Sequence, residues 1–284
     1  MCGIFGCISK DVKAAPVIHA ALKRLEYRGY DSVGIATIHD GKIYIKKDSG
    51  KIDDVHKLLN LDDMPGNLGI GHTRWATHGA PYQVNAHPHT DCKGEIAVVH
   101  NGIIENFSEL RSELEDLGHE FKSKTDTEVI PHLIEENMKK GLGLVEAVRE
   151  ALKAVRGSYA IAVISSSEPD KIVCARMESP LILGVGEGAI YCASDIPAFL
   201  PLTKRAVVIE NGEIAVIRPD GYEIRKVSDW SLIERKPETI EWTAEMAEKQ
   251  GYPHFMLKEI HEQPECLRNT LRLQDKYLDL MATF

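Results

Sequence analysis

Apolar residues recur along this chain with two spacings, one typical of buried strands and one typical of amphipathic helices. Residues 2–9 form a short apolar run, which predicts a buried strand. Ile18, Leu22 and Leu25 follow at helical spacing and predict a helix that ends near Arg28-Gly29. The chain therefore begins with a strand and then a helix.

Two dipeptides predict β-hairpins, because each separates a pair of strand-like stretches. Asp40-Gly41 lies between residues 33–39 and 42–47, and Asn211-Gly212 lies just before the last of a later series of strands. The strands of that series are predicted at 158–165, 171–176, 181–185, 189–193, 205–210 and 213–218.

Helical periodicity occupies the middle of the chain, at residues 107–117, 129–134 and 144–155. Thr125-Asp126-Thr127-Glu128 precedes the second of these helices and fits a capping box, with Thr125 as N-cap and Glu128 at position N3. Residues 69–102 are rich in Gly, His and Pro and show little periodicity, which predicts a long functional loop.

Strands at both ends of a block of helices indicate an α+β domain with antiparallel sheets, spanning about residues 2–240. Residues 228–250 are polar and contain Pro237, so they are interpreted as a linker or as a segment that wraps around the domain. A helical pattern follows Tyr252-Pro253. Residues 241–284 are thus predicted to be a linker and the start of a separate C-terminal segment.

Composition and charge exclude several classes of function. The chain has 284 residues with 43% hydrophobic and 27% charged residues, as in ordinary globular proteins. The net charge of −9 and the scattered Lys and Arg argue against nucleic acid or an anionic membrane as a partner. The six cysteines form no Cys-x-x-Cys pair, and neither a signal peptide nor an apolar run of spanning length is present. We expect a soluble, cytoplasmic protein.

The first candidate for chemistry is Cys2. Removal of Met1 would give this residue a thiol and a free α-amine on one carbon. The amine, with a pKa of about 7.7–8.0, suits proton exchange with a thiol of pKa about 8.5 near neutral pH. A buried Cys that merely opens a strand is the simpler interpretation of these residues alone.

Three further stretches supply what a Cys2 nucleophile would need. Asn101-Gly102 follows a strand and could direct two donors at one oxygen, although plain Asn-Gly turns are commoner. Arg74, in the loop 71–79, could bind a carboxylate bidentately or form only a surface salt bridge. Asp126 could pair with an ammonium group, but an acid in a first helical turn is already explained by the helix dipole.

Histidines raise the question of a metal. His78, His87, His89, His100 and Cys92 lie close in the sequence, but their spacing fits no zinc motif. We interpret them as structural or hydrogen-bonding residues and predict neither a metal nor a cofactor.

Taken together, these residues resemble the glutaminase domain of class II, N-terminal-nucleophile glutamine amidotransferases, in the branch that acts on sugar phosphates. The resemblance runs in the family's order over nearly all of residues 2–240. Its motifs are Cys2-Gly3-Ile4, the string from Arg24 to Ser32, His72-Thr73-Arg74-Trp75-Ala76-Thr77-His78-Gly79, Asn85-Ala86-His87-Pro88-His89, the string from His100 to Asn106, and Thr125-Asp126-Thr127-Glu128.

The resemblance implies a four-layer αββα sandwich, two antiparallel sheets between helical layers. It also implies L-glutamine as substrate and the following roles. Cys2 would be the nucleophile with its own amine as base, and Asn101 and the Gly102 N–H would form the oxyanion hole. Arg74 would bind the α-carboxylate of glutamine, and Asp126 would bind its α-ammonium. A closing loop would contain Trp75, Thr77, His78 and Gly79, Arg28 would support Cys2, and His87 would be a structural residue.

In this branch the ammonia acceptor is fructose-6-phosphate, bound by two sugar-isomerase modules that follow a segment like 258–264. The chain ends at Phe284 without these modules, so we expect it to be either part of a longer enzyme or a stand-alone glutaminase that needs a partner. We also expect the chain to be a monomer in isolation. Three alternatives remain open: a class II amidotransferase with another acceptor, a glutamine sensor without turnover, and a peptide amidase of the same N-terminal-nucleophile type.

Overall fold

A computed structural model describes residues 2–76, 79–241 and 252–281, and the chain divides into two compact units, Met1–Ile240 and Glu241–Phe284. The helices are α1 (Ala14–Leu25), α2 (Ile52–Leu59), α3 (Phe107–Asp116), α4 (Val129–Lys139), α5 (Leu144–Ala154) and α6 (Phe255–Met281). The strands are β1 (Gly3–Ser9), β2 (Ser32–His39), β3 (Lys42–Ser49), β4 (Leu68–Arg74), β5 (His89–Thr90), β6 (Ile96–Ile104), β7 (Gly157–Ser165), β8 (Ile172–Met177), β9 (Ile182–Val185), β10 (Ala189–Ala193), β11 (Arg205–Val208), β12 (Glu213–Arg218), β13 (Gly221–Lys226), β14 (Leu232–Ile233) and β15 (Glu238–Thr239).

The strands of the first unit form two sheets. Sheet A has the order β15-β11-β9-β10-β1-β4-β2-β3, and sheet B has the order β14-β13-β12-β8-β7-β6-β5. The paired strands within each sheet are antiparallel. Strand β1, which follows Cys2, therefore lies inside sheet A, with β4 on one side and β10 on the other.

The main core lies between the two sheets, and the alternation of side chains along β6 shows how. Ala97 and Val99 pack in the cluster shared with Ile4, Ile8 and other residues of sheet A. Ile96 and Val98, the intervening residues, pack in a second cluster with the apolar faces of the helices α3, α4 and α5. Because successive strand side chains point to opposite faces, one strand contributes to both layers of the core.

The outer face of sheet A is covered by α1, which packs closely because β4 has glycines beneath it. A Cβ on Gly71 would lie 2.4 Å from Ile18 Cγ2 and 2.9 Å from Leu22 Cδ1. The apolar positions that predict α1 are those that are buried here. The two antiparallel sheets with helices on their outer faces confirm the predicted fold class.

Two local predictions are wrong. The region 69–102 was expected to be a loop, but most of β4 lies in it, because Gly69 and Gly71 conceal the apolar alternation of a fully buried strand. The capping box does not form: α4 starts at Val129 with Glu128 as N-cap residue. The Glu128 carboxylate instead accepts N–H groups from Lys122 at 2.8 Å and from Ser123 at 2.6 Å.

Within the polar stretch 228–250, β14 and β15 add edge strands to sheets B and A, so this part of the stretch belongs to the first unit. The second unit contains α6, with Pro264 inside the helix. Among the residues that the structure describes, no helix is both long and apolar enough to cross a bilayer.

Candidate active site

A cavity of about 300 Å³ opens beside Cys2, a volume at the lower end of the range typical of small-molecule sites. It brings together most of the candidate residues from distant parts of the chain. Its lining consists of Cys2, Arg28, Arg74, Trp75, His87, His100, Asn101, Gly102, Ile103, Thr125, Asp126, Thr127, Ser158, Ser179 and Pro180.

Hydrogen bonds hold Cys2 on both its backbone and its side chain. The Cys2 carbonyl oxygen accepts a bond from Asn101 Nδ2 at 2.8 Å and another from Arg28 Nε at 3.2 Å. The thiol sulfur accepts the Trp75 N–H at 3.2 Å. Arg28 is itself fixed by Asp195, whose Oδ2 lies 2.8 Å from Arg28 Nη1. The sulfur therefore has a defined position at the cavity wall.

Electrostatics leave the Cys2 thiol protonated at rest. Burial raises its pKa above the ordinary value, and the Trp75 N–H together with the positive charges of Arg74 and Arg28 offsets only part of that increase. A thiol in this state becomes a strong nucleophile only when a nearby base accepts its proton. The arrangement thus calls for a base within reach of the sulfur.

The orientation of the Asn101 amide is determined by His72. His72 Nε2 lies 2.9 Å from Asn101 Oδ1 and 3.1 Å from the His100 carbonyl oxygen, so it must carry the proton and donate to both oxygens. Desolvation lowers the pKa of His72 to about 3, which keeps the imidazole neutral. With Oδ1 directed at His72, the Asn101 NH₂ group faces Cys2. No role was predicted for His72, although it lies within the motif that carries Arg74.

Asn101 and Gly102 were expected to follow a strand, but they belong to β6 itself, and the alternative of a plain Asn-Gly turn is wrong. Gly102 has φ +132, and a Cβ there would lie 2.1 Å from the Ser158 carbonyl oxygen. Only glycine is compatible with this backbone at this distance. Because Gly102 has no side chain, β6 remains paired with the neighbouring strand here, and the Gly102 backbone forms part of the cavity wall.

Arg74 and Asp126 line the cavity with opposite charges. Arg74 is buried at the end of β4, its Nη2 donates to the Gly79 carbonyl oxygen at 3.1 Å, and desolvation lowers its pKa. Asp126 is also buried, and its Oδ2 accepts the Ile104 N–H at 2.8 Å. A cation and an anion in one small cavity suit a zwitterionic ligand.

The remaining predicted site residues lie around the cavity. Trp75 is half-exposed and packs edge-on against Tyr30, with ring centroids 5.6 Å apart. Gly79 has φ +79 and contacts Arg74 through its carbonyl oxygen. Thr77 and His78 lie outside the described residues.

His87 lies in a buried group of imidazoles beneath the cavity. Its ring stacks on His72 at 4.1 Å, and its Nδ1 accepts the His100 N–H at 3.2 Å. Burial lowers the pKa of His87 well below the ordinary value, and that of His100 is lowered by the same cause. This packing fixes the rings through hydrogen bonds, as the structural interpretation of these histidines expects.

Replacing His72 by glutamine should reduce the acid sensitivity of the fold. The unfolded chain binds a proton at His72 below pH 6.5, whereas folded His72 binds it only near pH 3. The contribution of His72 to the free energy of unfolding is thus fully present above pH 6.5. As the pH falls from 6.5 toward 3, this contribution decreases by about 1.4 kcal/mol per pH unit. The glutamine amide that replaces the imidazole can still donate to Asn101 but does not titrate.

The measurement is the free energy of unfolding in urea between pH 7.5 and 4. His72→Gln should flatten the pH dependence by about 1.4 kcal/mol per unit, and His39→Gln, at an exposed position, should leave it unchanged. Equal slopes for His72→Gln and the parent chain would contradict the assigned neutral state of His72.

Comparison with known proteins identifies relatives of this chain. Residues 72–201 match a family described as the glutamine amidotransferase domain. The chain is 57% identical over 283 residues to the glutamine–fructose-6-phosphate aminotransferase (isomerizing) of Methanothermobacter thermautotrophicus, covering 99% of this chain and 47% of that protein. It is 55% identical over 271 residues to the protein of the same name from Pyrococcus horikoshii, covering 95% of this chain and 45% of that protein. The chain spans about half the length of the curated relatives it matches.

Two solved structures share the fold of this chain. A glutamine phosphoribosylpyrophosphate amidotransferase from B. subtilis, complexed with ADP and GMP, has a TM-score of 0.68 and 28% identity, covering 80% of this chain and 49% of that chain. A structure described as the allosteric regulatory enzyme of purine biosynthesis has a TM-score of 0.71 and 27% identity with the same coverage. These similarities agree with the arrangement of two sheets between helices.

Proposed function

Because the chain carries a glutamine amidotransferase domain, we propose that it hydrolyses L-glutamine to L-glutamate and ammonia with Cys2 as the nucleophile. The observation that carries the proposal is the single cavity that contains Cys2, Asn101, Arg74 and Asp126. Its dimensions and charges suit an amino acid whose side-chain amide points at the thiol. Arg74 would pair with the α-carboxylate and Asp126 with the α-ammonium.

The first half of the proposed reaction forms a thioester. The α-amine of Cys2, free once Met1 is removed, accepts the thiol proton as the sulfur attacks the glutamine amide carbon. Asn101 Nδ2 and the Gly102 N–H stabilise the resulting oxyanion. The intermediate collapses, the protonated amine gives its proton to the departing nitrogen, and ammonia leaves a γ-glutamyl thioester on Cys2.

The second half regenerates the enzyme. Water attacks the thioester carbonyl, with the Cys2 amine now accepting the proton of the water, and the same oxyanion donors act again. The C–S bond breaks, the sulfur recovers a proton, and glutamate leaves. The loop with Trp75, Thr77, His78 and Gly79 would close over the substrate, Arg28 would hold the Cys2 carbonyl, and His87 would support the cavity floor. No step uses a metal or a cofactor.

The acceptor proposal follows the names of the relatives. We propose that the ammonia is transferred to fructose-6-phosphate, which sugar-isomerase modules corresponding to the unmatched half of those relatives would bind. We also propose a cytoplasmic location, because all six cysteines are free thiols and a reducing compartment keeps them so.

Mass spectrometry tests the proposed function directly. The purified chain is incubated with a diazo-ketone analogue of glutamine, digested and mapped for adducts. The expected result is loss of Met1 and one adduct on Cys2, which excess glutamine prevents. An unlabelled Cys2 under conditions in which glutamine binds would overturn the catalytic proposal and favour a glutamine sensor. Labelling by short peptide amides in preference to the analogue would favour an amidase.

Asp126→Asn should weaken glutamine binding more than it slows the chemistry. Asparagine keeps an oxygen to accept the Ile104 N–H but removes the charge opposite the substrate ammonium. Loss of a charge-assisted hydrogen bond of about 1.5–3 kcal/mol predicts an increase in KM of roughly 10–150-fold. Steady-state kinetics of glutamate release measures it, with Asp116→Asn on the exposed surface of α3 as control. An unchanged KM with a lower kcat would exclude ammonium pairing.

A further inference from the structure

Four potential metal ligands converge outside the cavity, on the helical side of sheet B. Cys92 lies in the turn between β5 and β6, His119 follows α3, and His132 and Glu135 lie one turn apart on α4. One atom from each, Cys92 Sγ, both Nδ1 atoms and Glu135 Oε2, falls within 4.8 Å of all the others. His119, His132 and Glu135 are buried, whereas Cys92 is half-buried and leaves access from solvent.

We propose that these four side chains form a structural zinc site. With Zn–S of about 2.3 Å and Zn–N or Zn–O of about 2.0–2.1 Å, tetrahedral coordination places neighbouring ligand atoms about 3.3–3.6 Å apart. The Cys92 sulfur lies 3.4 Å from His119 Nδ1 and 3.6 Å from His132 Nδ1. The two Nδ1 atoms are 3.0 Å apart, and Glu135 Oε2 lies 3.2 Å from that of His119 and 3.6 Å from that of His132.

Hydrogen bonds alone explain this cluster poorly. His119 Nε2 lies 2.8 Å from Glu136 Oε1, so that nitrogen carries a proton whatever the state of the ring. Without metal, Nδ1 either carries a second proton or accepts one hydrogen bond, from the Cys92 thiol or from His132 Nδ1. One N–H can be aligned with only one acceptor, yet Nδ1 has the Glu135 carboxylate, the His132 nitrogen and the Cys92 sulfur within 3.4 Å. A cation at the centre satisfies all of them at once.

The surrounding groups match those that usually support a zinc site. Glu136 fixes the His119 ring from the far side, as carboxylates do for metal-bound histidines. The Cys92 N–H donates to Glu135 Oε2 at 3.2 Å, and Lys139 holds the other oxygen of Glu135 at 3.3 Å. One thiolate, two imidazoles and one carboxylate suit zinc better than Mg²⁺ or Ca²⁺, and four protein ligands indicate a structural role.

The location suggests what the metal would stabilise. His119 and His132 bracket the segment that carries Asp126, and the Glu128 carboxylate binds two N–H groups within that segment. None of the four ligands is among the residues that line the cavity. The ion would therefore fix the connection between α3 and α4 and leave the chemistry to other residues.

Cobalt substitution tests the site without relying on activity. The chain is stripped of metal with a chelator and titrated with Co²⁺, while absorbance and the melting temperature are recorded. We expect one equivalent to bind, with the strong visible bands of tetrahedral Co²⁺, a thiolate-to-cobalt charge-transfer band and a higher Tm. Zn²⁺ should displace the cobalt. Cys92→Ser should abolish the charge-transfer band, and His119→Gln, which removes a ligand, should weaken binding by more than the roughly 100-fold that loss of a residue supporting a ligand can cost.

Matched controls separate this site from other thiols and histidines. Cys266→Ser removes an exposed thiol, Cys2→Ser removes the thiol beside the cavity, and His56→Gln disrupts a second cluster formed with His19 and Asp62. All three should keep the full cobalt spectrum. Circular dichroism of metal-free Cys92→Ser shows whether it folds, and Glu135→Gln provides a second variant of the site.

Two outcomes would overturn the proposal. One is that the parent chain binds neither Co²⁺ nor Zn²⁺ stoichiometrically, which would leave hydrogen bonds among these side chains as the explanation of the cluster. The other is a charge-transfer band that survives in Cys92→Ser and disappears in Cys2→Ser. Neither outcome bears on glutamine hydrolysis, and failure of Cys2 labelling would equally leave the zinc proposal intact.

Discussion

Cys2→Ala is expected to abolish glutamine hydrolysis, with a loss in kcat on the order of 10⁴–10⁶-fold, as for other enzymes that lose their nucleophile. Alanine keeps the backbone carbonyl that Arg28 and Asn101 hold, so the cavity should remain formed. The substitution removes only the sulfur that is proposed to form the thioester. Glutamate release measured with a coupled dehydrogenase gives the rate, and calorimetry gives glutamine binding.

The control for this variant is Cys266→Ala, which removes an exposed thiol of the second unit and should retain full activity. Glutamine should still bind to Cys2→Ala with an affinity within a few-fold of that of the parent chain. If Cys2→Ala retained more than a few per cent of the parent rate, another residue would have to be the nucleophile.

Asn101→Ala is expected to lower kcat by about 10²–10³-fold, the usual cost of losing one oxyanion donor. KM should change much less, because the amide interacts most strongly with charge that develops in the transition state. The substitution also removes a 2.8 Å hydrogen bond to the Cys2 carbonyl and leaves His72 without its side-chain acceptor. Steady-state kinetics of Asn101→Ala must therefore be compared with a variant that loses structural hydrogen bonds but no oxyanion donor.

Asn106→Ala supplies that comparison. Asn106 is buried and makes two hydrogen bonds through its amide, to the Ala154 carbonyl and from the Arg156 N–H, away from the cavity. Both variants should lose roughly 1–3 kcal/mol of stability for the partners left unpaired. Only Asn101→Ala should lose kcat, and equal kcat values in the two variants would reduce Asn101 to a structural residue.

Local patterns predicted the elements whose side chains alternate regularly. The strands near 158–165, 189–193 and 213–218 and the three middle helices appear close to their predicted bounds. Strand β4 was missed because Gly69 and Gly71 have no apolar side chain to show. These glycines allow α1 to pack closely on the strand. That contact depends on the tertiary structure and cannot be predicted from local periodicity.

The site residues with a chemical signature could be proposed from sequence, but their supports could not. Cys2, Asn101, Arg74 and Asp126 belong to recognisable motifs, and the structure brings them to one cavity. His72 orients Asn101 across two sheets, and Asp195 fixes Arg28 from the other end of the domain. Such pairs are far apart in the chain, so no spacing rule indicates them.

The same limit explains why the cluster that is proposed to bind zinc was not predicted from the sequence. Cys92 was considered with the histidines near it in the sequence, whereas the residues it meets in space are His119, His132 and Glu135. Only the packing of α4 beside the turn after β5 brings them together.

The position of β1 also orders events during translation. Phe5 of β1 pairs with Ala193 of β10, so the sheet cannot close on that side until the ribosome has synthesised the second strand. At about 5–20 residues per second, that interval is roughly 10–40 s. Within that interval, once the amino terminus has left the ribosome, an aminopeptidase can act on Met1 before β10 pairs with β1. Removal of Met1, which the proposed mechanism requires, can thus precede closure of the sheet beside Cys2.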